Sequence, residues 1–366
     1  MDNELLLFDR LNVIKDTINK YGEQNFYLSF SGGKDSTILH YLLDMALPNN
    51  QIPRVFINTG IEYQAIVDFV KSLATKDDRF VMVTPSKSIR KVLEEYGYPF
   101  KSKEHSLIVS QFNKGLNSNY VYKYIHGYYK DGKKSMRVCP KTLLYQFKDK
   151  GKYNYSNQCC FKLKKEPAHL WEKQNNKSIC ITGMRAEEGG QRVNIKGCII
   201  TDNKGKVKRF HPLIKVDEEW ENWFLEQLET TRGGHILCQL YYPPYNFKRT
   251  GCKGCPFSLD LQEQLETMEL YLPNERKQCE LIWKPVYEEY RKLNYRLKKV
   301  EKIKLFWHKI NRLIYYVYPT KPPSSMVRES GVCHSFLLRK KAPLFSKNKS
   351  HYLLDNGSSF LSQIIG

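Results

Sequence analysis

Between residues 26 and 44 the sequence reads FYLSFSGGKDSTILHYLLD, and no other stretch limits the fold so sharply. Residues 26–30 are apolar and β-prone, whereas Ile38, Leu39, Leu42, Leu43 and Met45 recur at helical spacing. Gly32 and Gly33 leave only a tight turn between the two. A strand, a glycine loop and a helix N-terminus in succession aim backbone N–H groups and the positive end of the helix dipole at whatever sits above the loop, which suits an anion such as phosphate. Further apolar runs at 54–58 (RVFIN), 80–83 (FVMV) and 178–182 (SICIT) read as strands, and helical patterns separate the first three. That alternation predicts an α/β fold, a parallel sheet with helices on both faces and ligands at the carboxyl ends of its strands. Asn58, Thr59 and Gly60 follow the second strand and would lie beside the first loop if those strands are neighbours.

The G-x-x-x-x-G-K-[ST] phosphate loop is excluded, because Leu28 stands where its first Gly belongs and Asp35 where its hydroxyl belongs. The six residues 31–36 instead match the S-G-G-x-D-S loop of the PP-loop ATP pyrophosphatases. The resemblance implies that this loop holds the β,γ-pyrophosphate while ATP is split to AMP.

A chain of 366 residues supports one or two domains. The N-terminus, MDNELLLFDR, lacks a basic region followed by an apolar one, and no apolar run approaches bilayer length. The expectation is a soluble, cytoplasmic protein with no membrane contact. The formal charge of +21 is unevenly placed: residues 101–170 hold 15 Lys/Arg against 4 Asp/Glu, and residues 291–350 hold 16 against 2. Clustered charge of this kind points to a polyanion, with nucleic acid (DNA or tRNA) ahead of a merely solvated lysine surface. Tyr120, Tyr122, Tyr124, Tyr128 and Tyr129 lie within the first basic segment and are able to stack on bases. The expected division is a nucleotide-binding α/β domain over 1–215 with a basic Tyr/Lys-rich insertion or lid at about 101–170. A mostly helical, cysteine-containing part follows over 216–300, then a basic tail over 301–366.

Ten Cys in a chain read as cytoplasmic are reduced thiols or metal ligands rather than a disulfide framework. Two pairs stand out, the adjacent Cys159 and Cys160 and the C-x-x-C of Cys252 and Cys255. Four convergent thiolates suit zinc or an iron–sulfur cluster. A CC pair followed some ninety residues later by C-x-x-C is similar to the [4Fe–4S] pattern of assimilatory adenylylsulfate reductases and related proteins of the phosphoadenosine phosphosulfate (PAPS) reductase family. More of the chain agrees: FINTG at 56–60, GYPFKSKE at 97–104, ITGMRAEEGGQR at 181–192 and FHPLIKVDEEW at 210–220 resemble that family's segments, over roughly residues 20–295. The resemblance favours a [4Fe–4S] cluster, with zinc as the alternative. Cys139, Cys180, Cys198, Cys238, Cys279 and Cys333 are expected to be buried or incidental thiols.

Family membership leaves the chemistry open. The reductases carry a C-terminal E-C-G-x-H nucleophile, and here the nearest segment is GVCHS at 331–335. The complete S-G-G-x-D-S loop resembles enzymes that bind ATP, and a small sulfonucleotide needs no such concentration of positive charge. The reading that satisfies all three is an ATP pyrophosphatase that adenylates an oxygen on a nucleic acid and lets sulfur replace it. The chain resembles DNA phosphorothioation sulfurtransferases (DndC-like), and tRNA thiolases use the same logic on a base. A reductase of adenylylsulfate or PAPS is one alternative, and a non-catalytic nucleic-acid-binding component of a larger assembly is another.

On this resemblance Ser29, Ser31, Gly32, Gly33, Lys34, Asp35 and Ser36 hold the nucleotide together with Asn58, Thr59, Gly60, Gly183, Arg185 and Arg192. Lys34, Asp35 and Arg185 are the catalytic candidates, with Asp35 on the Mg²⁺ of ATP. Lys103, Lys162, Lys164, Lys165 and Arg249 would grip the substrate backbone, and a protein such as a cysteine desulfurase would donate sulfur. Glu187 and Glu188 are expected to be solvated, and His211 to be structural.

Overall fold

The computed structural model describes residues 2–195 and 197–298. Six strands, β1 (Phe26–Ser29), β2 (Arg54–Ile57), β3 (Phe80–Val83), β4 (Ile179–Ile181), β5 (Ile199–Thr201) and β6 (Val207–Phe210), form one sheet in the order β3-β2-β1-β4-β6-β5. All neighbours are parallel except β5 and β6. The α/β class is as the sequence predicts, and the first two apolar runs pair as neighbours. The antiparallel β5 at the sheet edge, joined to β6 by the Asp202–Lys206 turn, is an addition that the sequence reading lacks.

Helices cover both faces. Register sets Leu28 opposite Arg54 and Arg54 opposite Phe80, so these share a face, and α2 (Lys34–Ala46) packs there, with His40 edge-on to Phe30 and Phe80. α1 (Asn3–Tyr21), capped by the Asp2 carboxylate on Glu4 N, packs on α2. Alternation sends Tyr27, Val55 and Cys180 to the other face, where Trp171 closes the core. Between β2 and β3 runs α3 (Gln64–Ala74), whose Ile66, Val67 and Val70 are buried at helical spacing.

After α4 (Ile89–Tyr96), the stretch expected as an insertion or lid at about 101–170 carries α5 (Lys103–Asn113) and α6 (Asn119–His126), started by Ser102 and Ser118. The serine caps were legible locally. A one-turn α7 (Gln158–Cys160) then runs through a π-helical turn (Phe161–Lys165) into α8 (Glu166–Gln174). The last part is helical, with α9 (Glu218–Arg232), α10 (Leu261–Tyr271), α11 (Pro273–Ile282) and α12 (Lys284–Leu293). Among the described residues no helix is long and apolar enough to cross a membrane. Cys333 and the basic tail over 301–366 lie outside the described residues.

Candidate functional site

The 31–36 loop stands at the carboxyl end of β1, where the strand order turns from β2 on one side to β4 on the other. Ser31 N donates to Ser36 Oγ at 3.2 Å, and Ser36 Oγ donates to Gly33 O at 2.9 Å, so the two serines fold the loop onto the first turn of α2. Gly32 sits at φ +70°, and a Cβ there would meet Ile66 Cγ2 at 2.9 Å. Gly33, the N-cap of α2, offers no side chain to the free N–H groups. One of them, Lys34 N, donates to Tyr241 Oη at 3.2 Å, and that hydroxyl also bonds Thr250 Oγ1 at 2.7 Å.

Around the loop gather charged side chains from two other segments, 185–187 and the start of α9. Gly183, just after β4, lies so close to α2 that a Cβ would stand 2.5 Å from the Asp35 Cβ. Arg185 Nε is 3.7 Å from Asp35 Oδ1 and 3.3 Å from Glu221 Oε1, while its Nη1 donates to Glu187 at 2.8 Å. Lys34 Nζ is 3.6 Å from Glu221 Oε2 and donates to Asn222 Oδ1 at 3.3 Å. Glu221 is fully buried, and neither of its carboxylate oxygens has a hydrogen-bond partner. Burial, and then the neighbouring Asp35 charge, push its carboxyl up to about 8.

The other expected nucleotide residues divide. Ser29 and Ser31 line a cavity of about 430 Å³ together with Thr182, Ile57, Lys164 and Gly251. Asn58 instead caps its own turn through Gly60 N, and both polar groups of Thr59 are taken by Glu62. Arg192 pairs with Glu188 at 2.7 Å, and Arg249 reaches the same carboxylate from the far side. Glu188 is thus a nearly buried latch between two arginines, its side chain 6% exposed, and not the solvated group expected. His211 is structural as read: it is buried and bonds Thr182 Oγ1 at 2.7 Å.

The four expected cysteines converge. The Cys159 thiol, which is buried, feels Cys160, Cys255 and Cys252, and its pKa rises. Hydrogen bonding from Cys159 lowers Cys160, and Lys103, Lys164 and Lys165 add to that effect. Burial raises Cys252 against the pull of Lys164, and burial with Cys252 pushes Cys255 up to about 12. The C-x-x-C turn is pinned from behind: Trp283 Nε1 donates to Lys253 O at 3.1 Å, and Tyr290 Oη donates to Pro256 O at 2.9 Å. Four soft sulfur donors flanked by cations are the chemistry that a cluster with thiolate ligands calls for. Among the described residues, however, no set of three or more His, Cys, Asp or Glu stands in an arrangement ready to hold a metal ion.

Of the lysines assigned to substrate, Lys103, Lys164 and Lys165 therefore lie at the cysteines, and Lys164 Nζ also reaches Glu62 Oε1 at 3.5 Å. Lys162 faces away, paired with Glu166 at 2.6 Å. Among the tyrosines, Tyr124 is buried and Tyr120 donates to Glu104, whereas Tyr128 is 52% exposed. Sequence reasoning missed Glu221, Glu62, Tyr241 and Thr250. Only Glu221 carried a signal, a carboxylate on the buried stripe of Trp220, Phe224, Leu225 and Leu228.

Residues 25–256 match the model of the phosphoadenosine phosphosulfate reductase domain. An uncharacterized protein of Methanocaldococcus jannaschii is 34% identical over 93 residues, which is 25% of this chain and 22% of that protein's length. Three solved structures are similar at low identity. A phosphoadenylyl-sulfate reductase from Candida auris in a phosphate complex is 14% identical (66% of this chain, 93% of that one, TM-score 0.36). The NH3-dependent NAD synthetase of Campylobacter jejuni is 13% identical (82% and 100%, TM-score 0.35). The U34-tRNA thiolase of Methanococcus maripaludis with its [4Fe–4S] cluster is 16% identical (81% and 82%, TM-score 0.33). With the family model spanning the glycine loop, the arginine segment after β4 and all four paired cysteines, this chain belongs to the phosphoadenosine phosphosulfate reductase family.

Proposed function

We propose that the protein is an ATP pyrophosphatase that adenylates an oxygen of a nucleic acid, DNA or tRNA, so that sulfur can replace it. One observation carries this reading. The cavity is lined by Ser29, Ser31 and Thr182 of the loop region and also by Lys164, Thr250 and Gly251, neighbours of the cysteines in sequence or charge. A nucleotide and a sulfur-handling centre facing one space suit a reaction that needs both.

In the first step the substrate oxygen attacks the α-phosphorus of ATP. The new P–O bond forms as the α,β-bridging bond breaks, and pyrophosphate leaves. In the second, a sulfur donor at the sulfide level displaces AMP, which carries the oxygen away. The free N–H groups at the start of α2 and the Lys34 ammonium stabilise charge developing on the pyrophosphate, and Arg185 is placed to do the same once it leaves Glu187. Asp35 is the candidate ligand for the Mg²⁺ of ATP. Cys159, Cys160, Cys252 and Cys255 would hold a [4Fe–4S] cluster, which with a cysteine on each iron would polarise a nearby sulfur donor by its charge rather than offer it an open iron. Lys103, Lys164 and Lys165 offset thiolate charge there and guide the polyanion towards it.

The test is ATP-dependent release of pyrophosphate and AMP by anaerobically purified protein, with and without DNA or tRNA. Release stimulated by one nucleic acid is expected, and Asp35→Ala should lower it by roughly 100-fold or more with nucleic-acid affinity unchanged. No release under any condition overturns the ATP reading. Sulfite release from a sulfonucleotide with a thiol donor would then mark a reductase.

A further inference from the structure

Glu221 has no place in the reaction as written, yet its position is costly. A carboxyl group with no exposure and no partner in good hydrogen-bond geometry on either oxygen is rare, because burial of an unsatisfied polar group is penalised. Its ionic neighbours are also distant or shared: Lys34 Nζ at 3.6 Å, and Arg185 Nε at 3.3 Å. Arg185 Nε itself lacks a hydrogen bond and sits between two carboxylates, Glu221 on one side and Asp35 at 3.7 Å on the other. A cation of imperfect fit thus separates two oxygens from different helices, α9 and α2.

The charge around the loop makes the same point independently. Even without Glu221, whose carboxyl is pushed up to about 8, Asp35, Glu187 and Glu218 oppose Lys34 and Arg185, three carboxylates against two cations. A polyphosphate approaching that array meets repulsion unless positive charge arrives with it.

Resting on the ATP reading above, we infer that Glu221 and Asp35 together form the protein half of a divalent-cation site, the cation entering with the polyphosphate and taking the place that Arg185 Nε now occupies. Mg²⁺ commonly uses one or two carboxylates and completes its shell with phosphate oxygens and water, so two protein ligands suffice. Displacement frees Arg185 to turn to the phosphates. Asp35, with 30% of its side chain exposed, is the side from which the ion enters.

The experiment is titration of Mn²⁺ into the full chain, with the free ion followed by electron paramagnetic resonance, first alone and then with ATP. ATP binding is measured separately by equilibrium dialysis. Expected is one site per chain that Glu221→Gln and Asp35→Asn each weaken by about 10- to 100-fold, while Glu288→Gln on the exposed side of α12, outside the array, leaves it unchanged. Glu221→Asp, which keeps the charge, should recover part of the affinity, and a thermal melt identifies any variant that has merely unfolded. Equal Mn²⁺ affinity in wild type and a folded Glu221→Gln overturns the inference, whether or not ATP binds. Mn²⁺ binding that depends on Glu221 in a chain that binds no ATP would instead sink the ATP reading and leave the cation site standing.

Discussion

The absence of one methyl group at Gly183 sets how closely the segment after β4 approaches α2. A Cβ there would stand 2.5 Å from the Asp35 Cβ and 3.1 Å from the Asp35 carbonyl carbon, and the backbone contact has no flexible end to swing away. Gly183→Ala is therefore expected to cost about 1–3 kcal/mol of stability and to move Asp35 off Arg185 and Glu221. A urea melt with ATP dialysis checks this; unchanged midpoint and affinity would mean that the two segments part without consequence. Glu221 teaches the complementary lesson. Its place on an apolar stripe was readable, but its meaning came only when the fold set it against residues 34, 35 and 185.

At the level of elements, α2 is fixed at both ends by polar groups. Its start carries the loop, and its last turns carry His40 and Asp44, which meet Arg54 at the start of β2. Arg54 has no exposure, and its guanidinium bonds Asp44 at 2.6 Å, Asn50 at 2.8 Å and the Ile52 carbonyl. Arg79, just before β3, reaches the same Asp44 at 2.8 Å. Burial would raise the Asp44 carboxyl, but hydrogen bonds and charge from Arg79 and Arg54 hold it below the usual carboxylate range. Asp44→Ala leaves Arg54 buried without its counter-charge, an expected loss of about 3–5 kcal/mol in a denaturant melt. A loss below about 1 kcal/mol would mean that Asn50 and the carbonyl suffice. The strand–loop–helix unit was legible because every signal in it is local. The β5–β6 pair was not, because an edge pair of three and four residues has too short a pattern to stand out.

At the scale of the molecule, three buried imidazoles among the described residues, His40, His105 and His211, contribute to the response to acid, and the first two are shifted furthest. Burial lowers His105 to about 4, between Tyr124 and Gln146, and burial with the Arg54 charge lowers His40 as well. Both folded values lie below the unfolded value of about 6.5, so the unfolded chain binds the extra protons. Their stabilisation is complete above pH ~6.5 and is lost as pH falls towards ~4, by up to about 1.4 kcal/mol per pH unit for each histidine. Glu221, shifted upward, slopes the other way between its two values, so the check is a difference. Denaturant midpoints of wild type and His105→Gln should converge as pH falls through that window, and parallel curves would refute it. The cysteine pairs were legible by spacing, and their convergence followed from a fold that returns the 252–255 turn to α7. The lysines were legible only as charge, since sequence cannot say which face a long side chain takes. The Lys34–Asn222 hydrogen bond joins residues 188 apart, with Arg185 contributed from between them. Such a pocket has no local precursor: it closes late, only when distant parts of the chain have already met. On the ATP reading proposed above, nucleotide affinity would thus be an all-or-none reporter of native topology, and a bound nucleotide would tighten the entire fold by mass action rather than one loop of it.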